Sequence, residues 1–265
     1  MPRILYGTAW KKNDTEAFVR QAIAAGFRGI DTACQPKHYH EPGVGAAVAA
    51  CGVPRGELFL QTKFTTLSGQ DPKRIPYDPD APLAKQVMQS FETSLRNLRT
   101  DYIDSLVLHS PCPSDEQTLE VWRAMEQLVD RGQVKQLGIS NCYRLKTLQS
   151  LHRGSRVKPA VLQNRFYAET DYDVALRAFC REQKITYQSF WTLTANPHLL
   201  ADETMRLLAL KYQRNPEQIL FRYLTQVEVV PLTGTRSEAH MREDLAIFEF
   251  ELTATDLEAI ETLLR

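Results

Sequence analysis

An apolar, strand-like run followed by an amphipathic helical stretch recurs eight times along this chain of 265 residues. The eight runs are short and rich in valine, isoleucine and leucine, which is typical of strands that are covered on both faces. Strict alternation of strand and helix predicts a parallel sheet, and eight units predict that the sheet closes into a barrel. We therefore predict one α/β domain over residues 1–265, a (β/α)8 TIM barrel.

The boundaries follow from the apolar periodicity and from helix-capping residues. The predicted strands occupy 3–7, 27–31, 57–63, 104–109, 134–140, 159–164, 185–190 and 227–232. The predicted helices occupy 14–25, 41–51, 81–98, 115–131, 143–152, 171–182, 201–212, 215–225, 237–246 and 253–264. An open doubly wound sheet is the alternative, but it normally carries G-x-G-x-x-G after its first strand, where this chain has GTAWKKND.

One long segment, 64–80, is rich in proline and has no periodicity. It follows the third strand and is predicted to be a loop. Long loops at the carboxyl ends of barrel strands usually serve function. We expect this loop to shape an open substrate pocket.

Composition narrows the classes of partner and compartment. The formal net charge is +0, so nothing global favours a nucleic acid or an anionic membrane. The five cysteines are odd in number and none forms a C-x-x-C pair, which favours a reducing, cytoplasmic location. No stretch is apolar and long enough for a membrane span or a signal peptide. The sequence does not indicate an oligomeric state. Cys34, Cys112 and Cys142 are expected to be packing residues.

Polar and ionisable side chains terminate the apolar strands, at the end of the barrel where active sites lie. Asp31 ends the second predicted strand, Lys63 the third and His109 the fourth. Taken singly, Asp31 could be a turn cap, Lys63 a surface lysine and His109 a core histidine. At three consecutive strand ends they indicate one catalytic site. Because an unpaired buried charge is costly, we expect Asp31 and Lys63 to pair.

Five motifs, in this order, resemble the strand-end motifs of aldo-keto reductases: GFRGIDTA, QTKF, DSLVLHSP, GISN and VLQNRFY. The resemblance covers nearly the whole chain. It implies a catalytic tetrad of Asp31, Tyr39, Lys63 and His109. The family's tyrosine usually stands five residues after the aspartate, where this chain has Pro36. Tyr39 is the nearest candidate, and it implies a longer loop.

The tetrad implies a mechanism that requires no metal. An ordinary tyrosine has a pKa of about 10, and an adjacent ammonium is expected to lower that pKa. Tyr39 would then protonate a carbonyl oxygen as general acid, with Lys63 beside it and Asp31 holding Lys63. His109 would donate a hydrogen bond to the same oxygen. Trp10, Tyr39 and His109 are the expected substrate-binding residues.

The resemblance also implies a nicotinamide cofactor, NADPH in the first place with NADH as the alternative. The family's usual lysine after the eighth strand is replaced by Leu232, and Arg236 is the expected substitute for holding a 2′-phosphate. Phe190 stands where a tyrosine usually stacks on the nicotinamide. The expected cofactor-binding residues are Thr8, Asp31, Ser140, Asn141, Gln163, Phe190, Trp191, Thr233, Gly234, Thr235, Arg236, His240, Glu243 and Asp244.

The leading functional hypothesis is an NAD(P)H-dependent reductase of a small aldehyde or ketone. One alternative is a non-catalytic, cofactor-binding or redox-sensing protein of the same fold, which the displaced tyrosine would explain. Another is a barrel aldolase that forms a Schiff base on Lys63. Pocket loops decide the substrate, and the sequence does not identify it.

Overall fold

Eight parallel strands pair in chain order, and the eighth pairs with the first to close a barrel. This architecture comes from a computed structural model, which describes residues 1–264. It confirms the predicted (β/α)8 fold. The strands are β1 Leu5–Gly7, β2 Gly29–Asp31, β3 Phe59–Phe64, β4 Ile103–Leu108, β5 Val134–Ser140, β6 Val161–Arg165, β7 Thr186–Phe190 and β8 Val229–Thr233.

Helices follow the strands and pack around the outside of the barrel. They are α1 Thr15–Ala25, α2 Glu41–Ala50, α3 Leu83–Leu98, α4 Asp115–Asp130, α5 Leu145–Gly154, α6 Val174–Glu182, α7 Pro197–Leu200, α8 Glu203–Tyr212, α9 Pro216–Gln226, α10 Glu238–Leu245 and α11 Ala254–Leu263. Side-chain caps define several starts: Ser114 accepts from the Gln117 N–H at the start of α4, and Asn215 forms a capping box with Gln218 in α9. No helix within residues 1–264 is long and apolar enough to cross a membrane.

The main core lies between the strands and the helix layer. Its largest fully buried side chains include Trp122 on α4 and Tyr223 on α9. Inside the barrel, at the middle of β3, β6 and β7, the packing turns polar, with Gln61, Gln163 and Gln188 all buried. TIM barrels usually fill this space with branched apolar side chains. A polar layer there indicates that the barrel supports charged groups above it.

Close packing of α2 on α3 depends on Gly45. A Cβ at this position would lie 2.0 Å from the Asn97 carbonyl oxygen, so only glycine fits. The approach brings the buried carboxylate of Glu41 within hydrogen-bond distance of Ser94 on α3 (2.8 Å) and Thr62 on β3 (2.6 Å). These contacts fix the start of α2, and therefore the loop that precedes it.

The structure departs from the predicted boundaries or adds to them at three places. The helix predicted at 171–182 begins only at Val174, because residues 171–173 have positive φ values that a right-handed helix excludes. A short helix, α7, follows the seventh strand where none was predicted. The loop 64–80 contains one 3-10 turn, Leu67–Gly69, and is otherwise irregular as expected.

Candidate active site

Asp31 and Lys63 form a buried ion pair at the carboxyl end of the barrel. The Lys63 ammonium donates to both Asp31 oxygens, at 2.7 and 2.6 Å, and to the Thr32 carbonyl at 2.9 Å. Only 1% of the Lys63 side chain and 3% of the Asp31 side chain are exposed. With three acceptors around three protons, the ammonium is fully satisfied, as a charge at this depth must be.

Tyr39 and His109 close the group. The Lys63 Nζ lies 5.2 Å from the centre of the Tyr39 ring, and the Tyr39 and His109 rings are 5.9 Å apart, edge to face. Tyr39 belongs to a tight turn in which the N–H groups of His38 and Tyr39 both donate to the Gln35 carbonyl. The Trp10 N–H donates to the His38 carbonyl and holds this turn over the barrel. The structure thus brings the four predicted catalytic residues together.

Burial controls the protonation of these groups. It raises the pKa of Tyr39, and the Asp31 carboxylate raises it further. This direction is opposite to the one expected from the sequence, because desolvation dominates and Asp31 already compensates the Lys63 charge. Burial also lowers the pKa of Lys63, although Asp31 opposes that change. The pKa of His109 falls well below its usual value, through burial first and then the Lys63 charge, so its imidazole is neutral at pH 7.

The buried side chains of Gln61, Gln163 and Gln188 form an amide layer beneath Asp31. The side-chain N–H groups of Gln61 and Gln163 donate to Asp31 Oδ1 at 2.8 and 3.0 Å, and both also donate to the Gln188 side-chain oxygen. These bonds satisfy the carboxylate oxygen that faces away from solvent. The arrangement fixes the position of Asp31 and, through it, that of Lys63.

A cavity of about 990 Å³ opens above this group and extends across the top of the barrel. Asp31, Tyr39 and His109 line one part of it, and Trp10 lies beside them. The predicted cofactor residues that also line it are Ser140, Asn141, Gln163, Phe190, Trp191, Thr233, Gly234, Thr235, His240, Glu243 and Asp244. The volume is at the upper end of the range for small-molecule and cofactor sites.

Three predicted residues lie outside the cavity lining. Thr8 is fully buried, and its hydroxyl donates to the Asp31 carbonyl at 2.9 Å. Lys63 is covered by the residues around it. Arg236 is directed toward the first strand–helix loop, where its guanidinium donates to the Trp10 carbonyl at 2.8 Å. Each of the three therefore touches a lining residue without lining the cavity itself.

The loop 64–80 contributes to the cavity, as expected, through Thr65, Thr66, Ser68 and Gly69. Thr65 also contacts the tetrad, because its hydroxyl lies 2.6 Å from His109 Nδ1. Gln35 donates to the Gly69 carbonyl and ties this loop to the loop that carries Tyr39. The two loops therefore form one continuous wall.

Two tryptophans lie at the cavity edge with strained backbone. Trp10 and Trp191 are 49% and 48% exposed, and both have positive φ, at 63° and 56°. For a bulky residue this conformation costs free energy, and such strain concentrates at functional sites. The Trp10 ring stacks on His38 with 3.9 Å between ring centres.

Lys11 lies next to the turn after β8, and no motif in the sequence marks it. It is 2% exposed, donates to the Gly234 carbonyl at 2.7 Å, and lies over the Tyr6 ring at 4.9 Å. Burial and the nearby Arg236 charge lower the pKa of Lys11 to about 8. In the sequence it belongs to a Lys-Lys pair in a loop, a pattern typical of surface lysines, so only the folded structure could reveal it.

Arg165 and Thr65 line the cavity but are not among the site residues expected from the sequence. Arg165 lies two residues after Gln163 on β6, and side chains two apart on a strand share a face. Strand alternation could therefore have identified Arg165 as a lining residue. No sequence signal marks Thr65, because its contact with His109 depends on the pairing of β3 with β4.

The five cysteines are all free. Burial raises the pKa of Cys34 and Cys112, and raises that of Cys142 to about 12. All three thiols are therefore protonated at neutral pH and are poor nucleophiles.

Comparisons with known proteins agree with this architecture. A model of the Aldo/keto reductase family matches residues 4–196 and 176–265. Glyoxal reductase of Bacillus subtilis (strain 168) is 30% identical over 251 residues, which cover 95% of this chain and 84% of that protein. An aldo/keto reductase structure from Brucella melitensis is 31% identical with a TM-score of 0.85. The match covers 100% of this chain and 95% of the Brucella chain. A structure of a Gox0644 variant in complex with NADPH is 28% identical with a TM-score of 0.81. The match covers 99% of this chain and 89% of the Gox0644 chain. This chain therefore belongs to the aldo/keto reductase family.

Proposed function

We propose that the protein is an NADPH-dependent reductase of small aldehydes or ketones, with Tyr39 as the general acid. The observation that carries the proposal is the convergence of Tyr39 and His109 above the buried Asp31–Lys63 pair, at one end of a large cavity. The relative named glyoxal reductase supports a small carbonyl substrate.

The cavity residues fit a nicotinamide dinucleotide. Two cations, Lys11 and Arg236, adjoin the turn after β8, and neither forms a salt bridge within residues 1–264. Cations without carboxylate partners next to a barrel's phosphate-binding turn favour an anionic ligand. Near this turn, one buried carboxylate oxygen of Asp244 has no hydrogen-bond partner in the described part of the chain, and burial raises the pKa of Asp244 to about 6. An adenine amino group could satisfy that oxygen.

Each tetrad residue has a distinct part in the proposed reaction. The cofactor, when bound, supplies the hydride. Tyr39 Oη donates its proton to the carbonyl oxygen, and the raised pKa keeps that proton in place until negative charge develops on the substrate. Lys63 lies near enough to stabilise the phenolate that remains, and Asp31 keeps Lys63 positioned.

His109 would orient the substrate. Its ring is neutral, so one nitrogen donates and the other accepts. If the Thr65 hydroxyl donates to Nδ1, the tautomer carries its proton on Nε2 and can donate to the carbonyl oxygen. Ser140, Asn141 and Gln163 would hold the nicotinamide carboxamide, with the Phe190 ring stacked on the nicotinamide.

The preference for NADPH rests on the two cations at the β8 turn. Leu232 leaves no lysine within the turn itself, and Lys11 reaches the turn from the first strand–helix loop instead. Arg236 would contact the 2′-phosphate after releasing the Trp10 carbonyl. A neighbour bound to NADPH supports this assignment.

The test is a titration of NADPH and NADH, followed by a panel of carbonyls that includes glyoxal and aromatic aldehydes. We expect tighter binding of NADPH and carbonyl-dependent oxidation of the cofactor. Tyr39→Phe should bind NADPH normally and lose turnover. Binding of neither cofactor would refute the proposal. Binding without reduction of any carbonyl would favour the non-catalytic alternative.

A Schiff-base aldolase is disfavoured by the geometry. Its nucleophile must be a neutral amine with access to substrate, whereas the Lys63 ammonium is 1% exposed and donates to three oxygens. Borohydride trapping of a carbonyl compound on Lys63 would contradict this reasoning.

A further inference from the structure

Arg165 lines the active-site cavity and lies close to two aromatic rings. Its guanidinium carbon is 4.3 Å from the centre of the Trp191 ring and 5.0 Å from the centre of the Tyr167 ring. Both contacts lie within the usual range for cation–π interactions. No guanidinium N–H of Arg165 donates a hydrogen bond within residues 1–264, so these in-plane donors are available for a ligand.

The positive charge of Arg165 has no partner within residues 1–264. It forms no salt bridge there, and its Nε is buried without a hydrogen bond. Arg55 is a useful contrast, since it pairs with Asp104 and donates to the Tyr102 carbonyl. A partly desolvated guanidinium with free N–H groups is costly unless an anion completes it.

Strand geometry places Arg165 beside the reacting centre. Gln163 and Arg165 share one face of β6, so Arg165 lies about 7 Å further along the strand than the amide that supports Asp31. Its strand partner is Phe190, the residue assigned to the nicotinamide. Hydrogen bonds also connect the Arg165 backbone to the tetrad: the Tyr143 hydroxyl accepts from the Arg165 backbone N–H and donates to the Asn141 side-chain oxygen. The Asn141 side-chain amide in turn donates to the His109 carbonyl.

We propose that Arg165 binds a carboxylate on the carbonyl substrate, so that the physiological substrate class is an aldehyde or ketone that also carries an acid group. This inference rests on the proposed reductase function. The cofactor's phosphates are a less suitable source of the anion, because Lys11 and Arg236 already provide cations at the β8 turn. Arg165 lies on β6, at the nicotinamide end. Trp191, on its strained backbone, holds the guanidinium in place for a two-point contact.

The test compares a charged substrate with a neutral one that is larger by a single methyl group: 4-carboxybenzaldehyde and its methyl ester. Because a hydrogen-bonded contact to a charged group contributes strongly, we expect the kcat/KM ratio of acid to ester to fall by about 10- to 100-fold in Arg165→Gln, mainly through KM. Arg165→Lys, which keeps the charge and loses the planar fork, should give an intermediate ratio. Arg206→Gln, on the exposed face of α8, is the matched control and should leave the ratio unchanged.

Other outcomes separate the sources of the anion. If Arg165→Gln weakens NADPH and NADH alike and leaves the acid-to-ester ratio unchanged, the anion is a cofactor phosphate and the substrate assignment is wrong. An unchanged ratio with unchanged cofactor binding overturns it as well. If the wild-type protein reduces neither these aldehydes nor any other carbonyl of the panel, the proposed function fails, and binding decides the inference separately. In that case 4-carboxybenzyl alcohol, followed by tryptophan fluorescence, must bind the wild-type protein and not Arg165→Gln.

Discussion

Replacing Lys11 with methionine should stabilise the cofactor-free protein at pH 7 and weaken its binding of NADPH. Lys11 is 2% exposed, and its ammonium lies against the Tyr6 and Phe18 rings, with the Gly234 carbonyl as its one hydrogen-bond acceptor within residues 1–264. Methionine has nearly the same length and flexibility, and it suits this apolar environment. The substitution therefore removes the charge with little change in packing.

The magnitude follows from the pKa of Lys11. A fall from 10.5 to about 8 corresponds to a cost of about 3 kcal/mol for keeping the folded state charged. Methionine removes this cost and also the hydrogen bond to Gly234, so the expected net gain is about 1–3 kcal/mol in the free energy of unfolding. The cost applies in full below pH 8. Between pH 8 and 10.5 the folded state releases a proton that the unfolded state keeps, so the wild-type protein recovers this stability as the pH rises.

Cofactor binding should change in the opposite direction. Losing a charge-assisted contact to phosphate should raise the NADPH Kd by about 10- to 100-fold at pH 7. In the wild-type protein, affinity should fall by up to about tenfold for each pH unit above 8, as Lys11 loses its charge. The variant should lack this pH dependence.

The measurements are urea unfolding at pH 7 and pH 9.5 and fluorescence titration with NADPH across the same range. Lys12→Met is the matched control, because the neighbouring Lys12 is exposed, and neither property should change. Two results would refute the reasoning. One is a Lys11→Met protein that is less stable than the wild type at pH 7. The other is a stability difference that persists unchanged at pH 9.5.

Three further predictions concern the tetrad and its support. Tyr39→Phe should lower kcat by about 10²- to 10⁴-fold, as expected for loss of a general acid, with the NADPH Kd within twofold of wild type; retained turnover would exclude Tyr39 as the acid. Asp31→Asn should lower the free energy of unfolding by about 3–5 kcal/mol, since it leaves Lys63 buried without its counter-charge, and denaturant melts would detect this loss. Gly45→Ala should lower the free energy of unfolding by about 1–3 kcal/mol, because the new Cβ would overlap the Asn97 carbonyl. A variant with a higher melting temperature than the wild type would contradict this and would show that α2 and α3 separate easily.

Strand-end residues were the part of the site that the sequence could predict. Asp31, Lys63 and His109 each follow an apolar run, and parallel strands in a barrel place their carboxyl ends on one rim. That reasoning is topological, so it needs no side-chain coordinates. Tyr39 was harder to assign, since it lies in a loop, and its closeness to Lys63 depends on the turn at Gln35 and the backbone bond from Trp10.

The barrel and the order of its strands could be predicted from the sequence alone, because eight strand–helix units without a glycine fingerprint after the first strand favour a closed parallel sheet. Only the tertiary structure decided the pKa values and the charge pairing of the site residues. Burial raises the pKa of Tyr39 although a lysine lies beside it, and it lowers the pKa of Lys11. Within residues 1–264, the buried Nε of Arg165 has no hydrogen-bond partner. Desolvation and charge pairing depend on distances between residues far apart in the chain, and no local pattern in the sequence encodes those distances.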